Sequence, residues 1–256
     1  FSRINYAYGL DYVTTPAEFS NENLDKLTEF GILQEDKQHM LQILENWKLK
    51  NVLPGKEKPK LVFINTSGGG LRSSVWTFDV MQFADSITNG SFLNASHLIT
   101  GSSGGMVGAA YYREMCLQEL KHGGFSRYSD SLRWKLTRDI LNPVAFSFAL
   151  NDLFIKFQKT YDGDYVYPKD RGYAWEKKLT ENLGCWSNTR LSDYKAPEFE
   201  AEIPMMILTP SLINEGRRLI ISPQPLSYLS MVYPFAGEKY SSCLLYTSPS
   251  PRDLST

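Results

Sequence analysis

Apolar residues in this chain fall into two patterns: short continuous runs, and stripes with helical spacing between them. Leu61-Val62-Phe63-Ile64-Asn65 is a continuous run bounded by turn residues, which predicts a buried strand in a parallel sheet. Leu98 to Thr100, Ile203 to Thr209 and Arg218 to Ser222 predict three more strands. Met40, Ile43, Leu44 and Trp47 recur at i, i+3, i+4 and i+7, the apolar face of a helix over 34–49. A shorter helix over 24–30 is expected to stop at Gly31, and residues 1–23 read as an irregular lead-in. After the first strand, Ser73 or Ser74 is the expected N-cap of a helix that buries Trp76, Val80, Phe83, Ala84 and Ile87 and ends at Asn89-Gly90.

The second half follows the same grammar. Met106 to Met115 is small, apolar and free of proline, as a helix packed on a sheet should be. His122-Gly123-Gly124 breaks the chain, and Asp130 or Ser131 caps a helix through Ile140, stopped by Asn142-Pro143. Val144 to Phe157 is strongly apolar and aromatic, a core or lid helix or else an acyl-chain wall that meets a membrane at its periphery. Residues 161–172 and 185–202 read as loops, with an amphipathic helix over 174–183 between them.

Two loops carry candidate chemistry. The first strand runs into Ser67-Gly68-Gly69-Gly70-Leu71-Arg72, where three glycines leave backbone N–H groups unshielded by side chains. The second expected strand runs into Gly101-Ser102-Ser103-Gly104-Gly105 and then a helix. Strand, Gly-x-Ser-x-Gly, helix is the order of a nucleophile elbow, which holds a serine out on a tight turn at a helix N-terminus. Ser103 is the candidate nucleophile. Gly101 and Gly105 are expected where a β-carbon would clash. In a parallel strand–helix–strand unit both loops leave the carboxyl ends of neighbouring strands. The N–H groups of Gly68, Gly69 and Gly70 are then placed to hold an oxyanion formed at Ser103.

Composition narrows the alternatives. The 256 residues carry 27 basic and 28 acidic side chains, so no basic face argues for nucleic acid. Cys116, Cys185 and Cys243 are far apart, with neither metal-ligand nor disulfide spacing, and no metal or cofactor is called for. No apolar run reaches the length of a membrane span, so the expectation is a cytoplasmic or peripheral membrane protein.

The glycine loop followed by Arg72, with the Ser103 elbow about thirty residues on, resembles the patatin-like phospholipase family. The resemblance covers roughly 58–235 and includes Pro204 to Thr209 and Arg217 to Ser222 as later core strands. It implies a three-layer α/β/α fold with a mainly parallel central sheet, hydrolysis of lipid or phospholipid esters, and a Ser–Asp dyad without histidine. Carried over, Ser103 is the nucleophile and Gly68 to Gly70 the oxyanion loop, with Gly101, Gly104 and Gly105 as motif support. Arg72 matches an arginine that braces that loop or meets an anionic head group. The family's base is an Asp followed by Gly, after the later strands. Asp162-Gly163 is the one Asp-Gly pair and precedes those strands, so Asp162 is a fallback read first as a solvated turn. From about residue 241 the Pro- and Ser-rich composition changes abruptly and has no periodicity. The expectation is a lead-in over 1–57, an incomplete hydrolase domain over 58–240 and a non-native tail over 241–256, with the base lost beyond it.

Three other readings compete. An α/β-hydrolase triad needs a histidine well after the serine, but His39 and His97 precede Ser103 and His122 follows too closely. A phosphate site lacks the Lys-Ser/Thr of a P-loop. A lipid-binding protein without turnover is the third, since a serine without its base is a weak nucleophile.

Overall fold

The computed structural model describes residues 30–52, 54, 58–154, 158–162, 165–187, 189–211 and 219–230. It is a mixed α/β protein with a three-stranded parallel sheet flanked by helices. The expected helix over 24–29, the tail over 241–256 and Cys243 lie outside the described residues. The chain divides into two units, one holding 20–133 and 189–256, the other 134–188 with 1–19.

In the first unit, helix α1 (Phe30–Asn51) leads to strand β1 (Val62–Thr66), helix α2 (Gly70–Ile87), short helix α3 (Ser91–Ala95), strand β2 (Ser96–Gly101) and helix α4 (Ser103–His122). Helix α5 (Asp130–Leu136) follows. The chain returns to this unit as a 3-10 turn (Leu191–Tyr194), helix α8 (Lys195–Phe199) and strand β5 (Met205–Leu208). β2 is central, parallel to β1 through pairs such as Ile64 with Ile99, and to β5 through Thr100 with Ile207.

Several expectations are corrected. Gly31 does not stop a helix but sits in the first turn of α1, where an added β-carbon would meet nothing within 4 Å. Leu33, Ile43 and Trp47 supply its buried side. β1 is not buried on both faces: Phe63 is 61% exposed and Asn65 is exposed, with its side chain accepting from Thr100 Oγ1. Residues 91–95 are helical, and α5 ends at Leu136 rather than Ile140. Of the predicted strand over 218–222, the described residues 219–222 form one antiparallel bridge, between Leu208 and Ile221.

The largest correction concerns α2. The stripe expected in the core faces outward: Trp76 is 71% exposed, Phe83 65% and Ile87 64%. The buried side is Ser74, Phe78, Met81 and Asp85. Two facts make that side the better one to bury. Phe78 stacks on Tyr111 of α4, with ring centroids 5.4 Å apart, and meets Tyr112 edge-on. Asp85 is fully paired inside: it accepts from Tyr112 Oη at 2.7 Å, from Leu93 N at 2.9 Å and from Tyr128 Oη at 3.1 Å, with Arg127 Nε at 3.2 Å. A buried carboxylate so satisfied no longer opposes burial.

The second unit holds helix α6 (Leu141–Ser147), a π-helical turn (Phe148–Asp152), strands β3 (Lys159–Asp162) and β4 (Tyr165–Pro168), and helix α7 (Arg171–Leu183). Pro143 does not end a helix; it lies in the first turn of α6, where a missing N–H leaves no bond unmade. Residues expected as a polar loop pair as an antiparallel hairpin, with Thr160 opposite Tyr167. Asp170 caps α7 by accepting from Tyr173 N at 3.0 Å. Phe146 and Phe154 are 67% and 76% exposed, so the aromatic run is not wholly a core helix.

Candidate active site

The candidate site forms where β1 and β2 end side by side. Thr66, the last residue of β1, pairs with Gly101, the last of β2. A β-carbon on Gly101 would stand 2.1 Å from the Thr66 carbonyl oxygen, and its φ of +148° is one that side chains rarely adopt. Only glycine fits there on both counts. From the other side, Thr209 at the end of β5 donates through N (3.1 Å) and Oγ1 (2.8 Å) to the Gly101 carbonyl. Thr209 was legible in the sequence only as the end of a strand.

Ser102 is extended and Ser103 turns sharply into α4 with φ +58°. A left-handed serine of this kind is strained by on the order of 1–3 kcal/mol and persists because its surroundings over-determine it. Those surroundings are backbone. A β-carbon on Gly104 would lie 1.9 Å from the Gly70 carbonyl oxygen, one on Gly105 2.2 Å from that of Ser67, and one on Gly108 2.1 Å from that of Ser74. The glycine loop and the start of α4 therefore touch main chain to main chain.

Ser73 and Ser74 do not cap α2, whose N-cap is Gly69 with no side-chain bond. Ser73 Oγ donates to the Ser67 carbonyl at 2.9 Å, closing the loop on itself. Ser74 Oγ donates to the Gly104 carbonyl at 2.8 Å, tying α2 to the elbow. Both hydroxyls hold the two motifs together, a role that local spacing could not reveal.

The result is a shared rim. A β-carbon on Gly68 would sit 3.0 Å from Ser103 Cβ and 3.1 Å from Ser103 Oγ. Gly68, Gly69, Gly70 and Ser103 are all exposed. Helices α2 and α4 both begin here, so unpaired N–H groups and the positive ends of two helix dipoles border the serine. Such a place stabilises an oxygen that gains negative charge. Arg72 is exposed in the first turn of α2 and makes no hydrogen bond or ion pair among the described residues.

The histidines lie apart from this rim. His97 is buried at the opposite end of β2, His39 bonds Gln224 at 2.9 Å, and His122 ends α4, about 28 Å along the helix from Ser103. Asp162 lies in β3, opposite Tyr165, in the other unit. No described residue hydrogen-bonds Ser103 Oγ. Burial pushes the Cys116 thiol up to about 12, an inert setting for a cysteine. Among the described residues no group of His, Cys, Asp and Glu is placed to hold a metal ion, and no helix is long and apolar enough to cross a membrane.

No protein-family model matches the chain, and no curated protein sequence matches it. Among solved structures it is similar to human GIVD cytosolic phospholipase A2 in complex with methyl γ-linolenyl fluorophosphonate and terbium chloride, at 15% identity and a TM-score of 0.44. A second structure of that human enzyme, with the fluorophosphonate, is similar at 13% identity and a TM-score of 0.45. The first match covers 74% of this chain and 28% of the other, the second 74% and 27%, so the chain spans less than a third of the length of either.

Proposed function

We propose that the chain carries the nucleophile half of a serine acyl hydrolase that cleaves carboxylic esters of lipids, of the phospholipase or lysophospholipase type. The observation that carries this reading is the contact of Gly68 with Ser103: a β-carbon there would fall 3.1 Å from the hydroxyl oxygen. Ser103 Oγ attacks the ester carbonyl, its proton passes to a base, and the carbonyl oxygen becomes an oxyanion. The N–H groups of Gly68, Gly69 and Gly70 receive that charge, worth about 3–4 kcal/mol for one good donor. The tetrahedral intermediate expels the alcohol and leaves an acyl-Ser103, which water then cleaves with the same base. An aspartate fits the motif pair as that base. Arg72, which makes no hydrogen bond or ion pair among the described residues, is assigned to an anionic head group rather than to bracing the loop.

The test is labelling with a lipid-like fluorophosphonate, which traps an activated serine. In the full natural protein the label should map to Ser103. Ser103→Ala should remove it and lower turnover of a lysophospholipid by about three orders of magnitude or more. Labelling that survives Ser103→Ala would overturn the assignment.

A further inference from the structure

The parallel sheet has a second end. Opposite the Ser103 rim, at the amino ends of β2 and β5, lies a cavity of about 220 Å³. Ile43 and Trp47 of α1, Leu93 of α3, Leu120 of α4 and Ile203 ahead of β5 form its apolar walls, and His97 of β2 borders it.

His97 is the unusual member. It is only 4% exposed. Trp47 and Phe63 meet its ring edge-on, with centroids 5.9 Å and 6.2 Å away, and so fix its plane. Neither supplies a hydrogen bond, and the Trp47 indole N–H is committed to the Asn94 carbonyl at 3.0 Å. Among the described residues none hydrogen-bonds either nitrogen of His97. The contrast is His39, which bonds Gln224 at 2.9 Å and stacks on Phe199. Burial lowers the His97 pKa, so its ring is neutral, with one N–H donor and one lone pair to offer.

The lining sets the rest of the ligand. Lys50 and Glu202 both stand on it, with opposite charges, so the walls favour neither anion nor cation. Glu198 also borders it but is committed to Arg113. At about 30 Å³ per water-sized group the space holds roughly seven such groups.

We propose that this cavity is a second binding site, taking a small neutral apolar molecule with a single hydroxyl group that pairs with His97. It is separate from the Ser103 rim: β2 alone sets the two about 20 Å apart. The inference does not depend on what Ser103 does.

Phenol is the probe, titrated into the full chain while the His97 ring is followed by proton–carbon NMR. Phenol should bind saturably and move the His97 ring resonance. Toluene, nearly the same shape without the hydroxyl, should bind about tenfold more weakly. In His97→Phe, phenol and toluene should bind alike. Ile203→Trp, which fills the space, should abolish both, while Ser103→Ala should change neither. Unsaturable phenol, an unmoved His97 resonance, or equal affinity for phenol and toluene in the unaltered chain would overturn the proposal. So would hexanoate binding more tightly than phenol. The wild-type comparison decides the matter even if a variant fails to fold.

Discussion

A β-carbon is the smallest group that sequence can add, and in this molecule its effect depends on what stands beside it. At Gly104 the nearest atom would be a main-chain oxygen at 1.9 Å, which cannot rotate away. At Gly31 there is open space and ordinary helix. Gly104→Ala should therefore destabilise the protein by about 1–3 kcal/mol or more, because the elbow and the glycine loop must move apart. Gly31→Ala should instead stabilise it, by a few tenths up to about 1 kcal/mol, by removing backbone freedom from the unfolded chain. Urea unfolding of the two variants checks both signs. Equal effects would mean that the loop and elbow are not in contact. The site glycines were legible because their constraint is local: consecutive glycines after a strand, and glycines flanking a serine, announce a close backbone approach. The hydroxyls of Ser73 and Ser74 were not, since their acceptors, Ser67 and Gly104, depend on where the chain returns.

At the scale of elements, α2 shows where periodicity stops being informative. The helix is apolar on two sides, and spacing alone selects the one with Trp76, Val80, Phe83 and Ile87. The side that packs contains Ser74 and Asp85, which look like surface residues in a sequence. They are buried because Gly108 admits the backbone at Ser74, and because Tyr112 and Arg127 complete Asp85. The same blindness hid the β3–β4 hairpin, which reads as a polar loop until its strands pair. The adjacency of the two strands that meet at Ser103, by contrast, follows from two apolar runs with a helical stretch between them, and β1 and β2 pair in parallel. A direct contrast checks the side that α2 buries. Phe78→Ala should cost about 3–5 kcal/mol, as for a large buried ring. Phe83→Ala, at a side chain 65% exposed, should stay within about 0.5 kcal/mol. Chemical denaturation of both variants is the measurement, and a larger loss at Phe83 would reverse the face assignment.

At the scale of the whole unit, the sheet is fastened to the later chain by charge. Arg113 in the middle of α4 is 4% exposed and Glu198 of α8 is fully buried. Arg113 Nη2 donates to Glu198 Oε1, and Arg113 Nε donates to the Pro204 carbonyl at 2.8 Å. Glu198 also accepts from Met206 N at 3.0 Å and from Gln224 Nε2 at 3.1 Å, and Gln224 in turn meets His39 of α1. Tyr194 lies against the guanidinium, with its ring centroid 4.8 Å from Arg113 Cζ. Burial raises the Glu198 pKa and lowers that of Arg113, and each charge opposes the shift of the other. One ion pair thus joins α4, α8, β5, the segment at Gln224 and α1. None of it was legible in a stretch that reads as a loop over 185–202, because Glu198 acquires its partners only from distant elements. Desolvation makes such a pair a poor source of net stability but a costly thing to break. Glu198→Ala should therefore destabilise the protein by about 3–5 kcal/mol, leaving the buried Arg113 charge without its paired carboxylate. The double change Arg113→Met with Glu198→Leu should recover part of that loss, because neither member of the pair is left without the other. Urea midpoints for the single and double variants give the comparison. A Glu198→Ala variant within about 1 kcal/mol of the parent would show that the pair does not hold these five segments together.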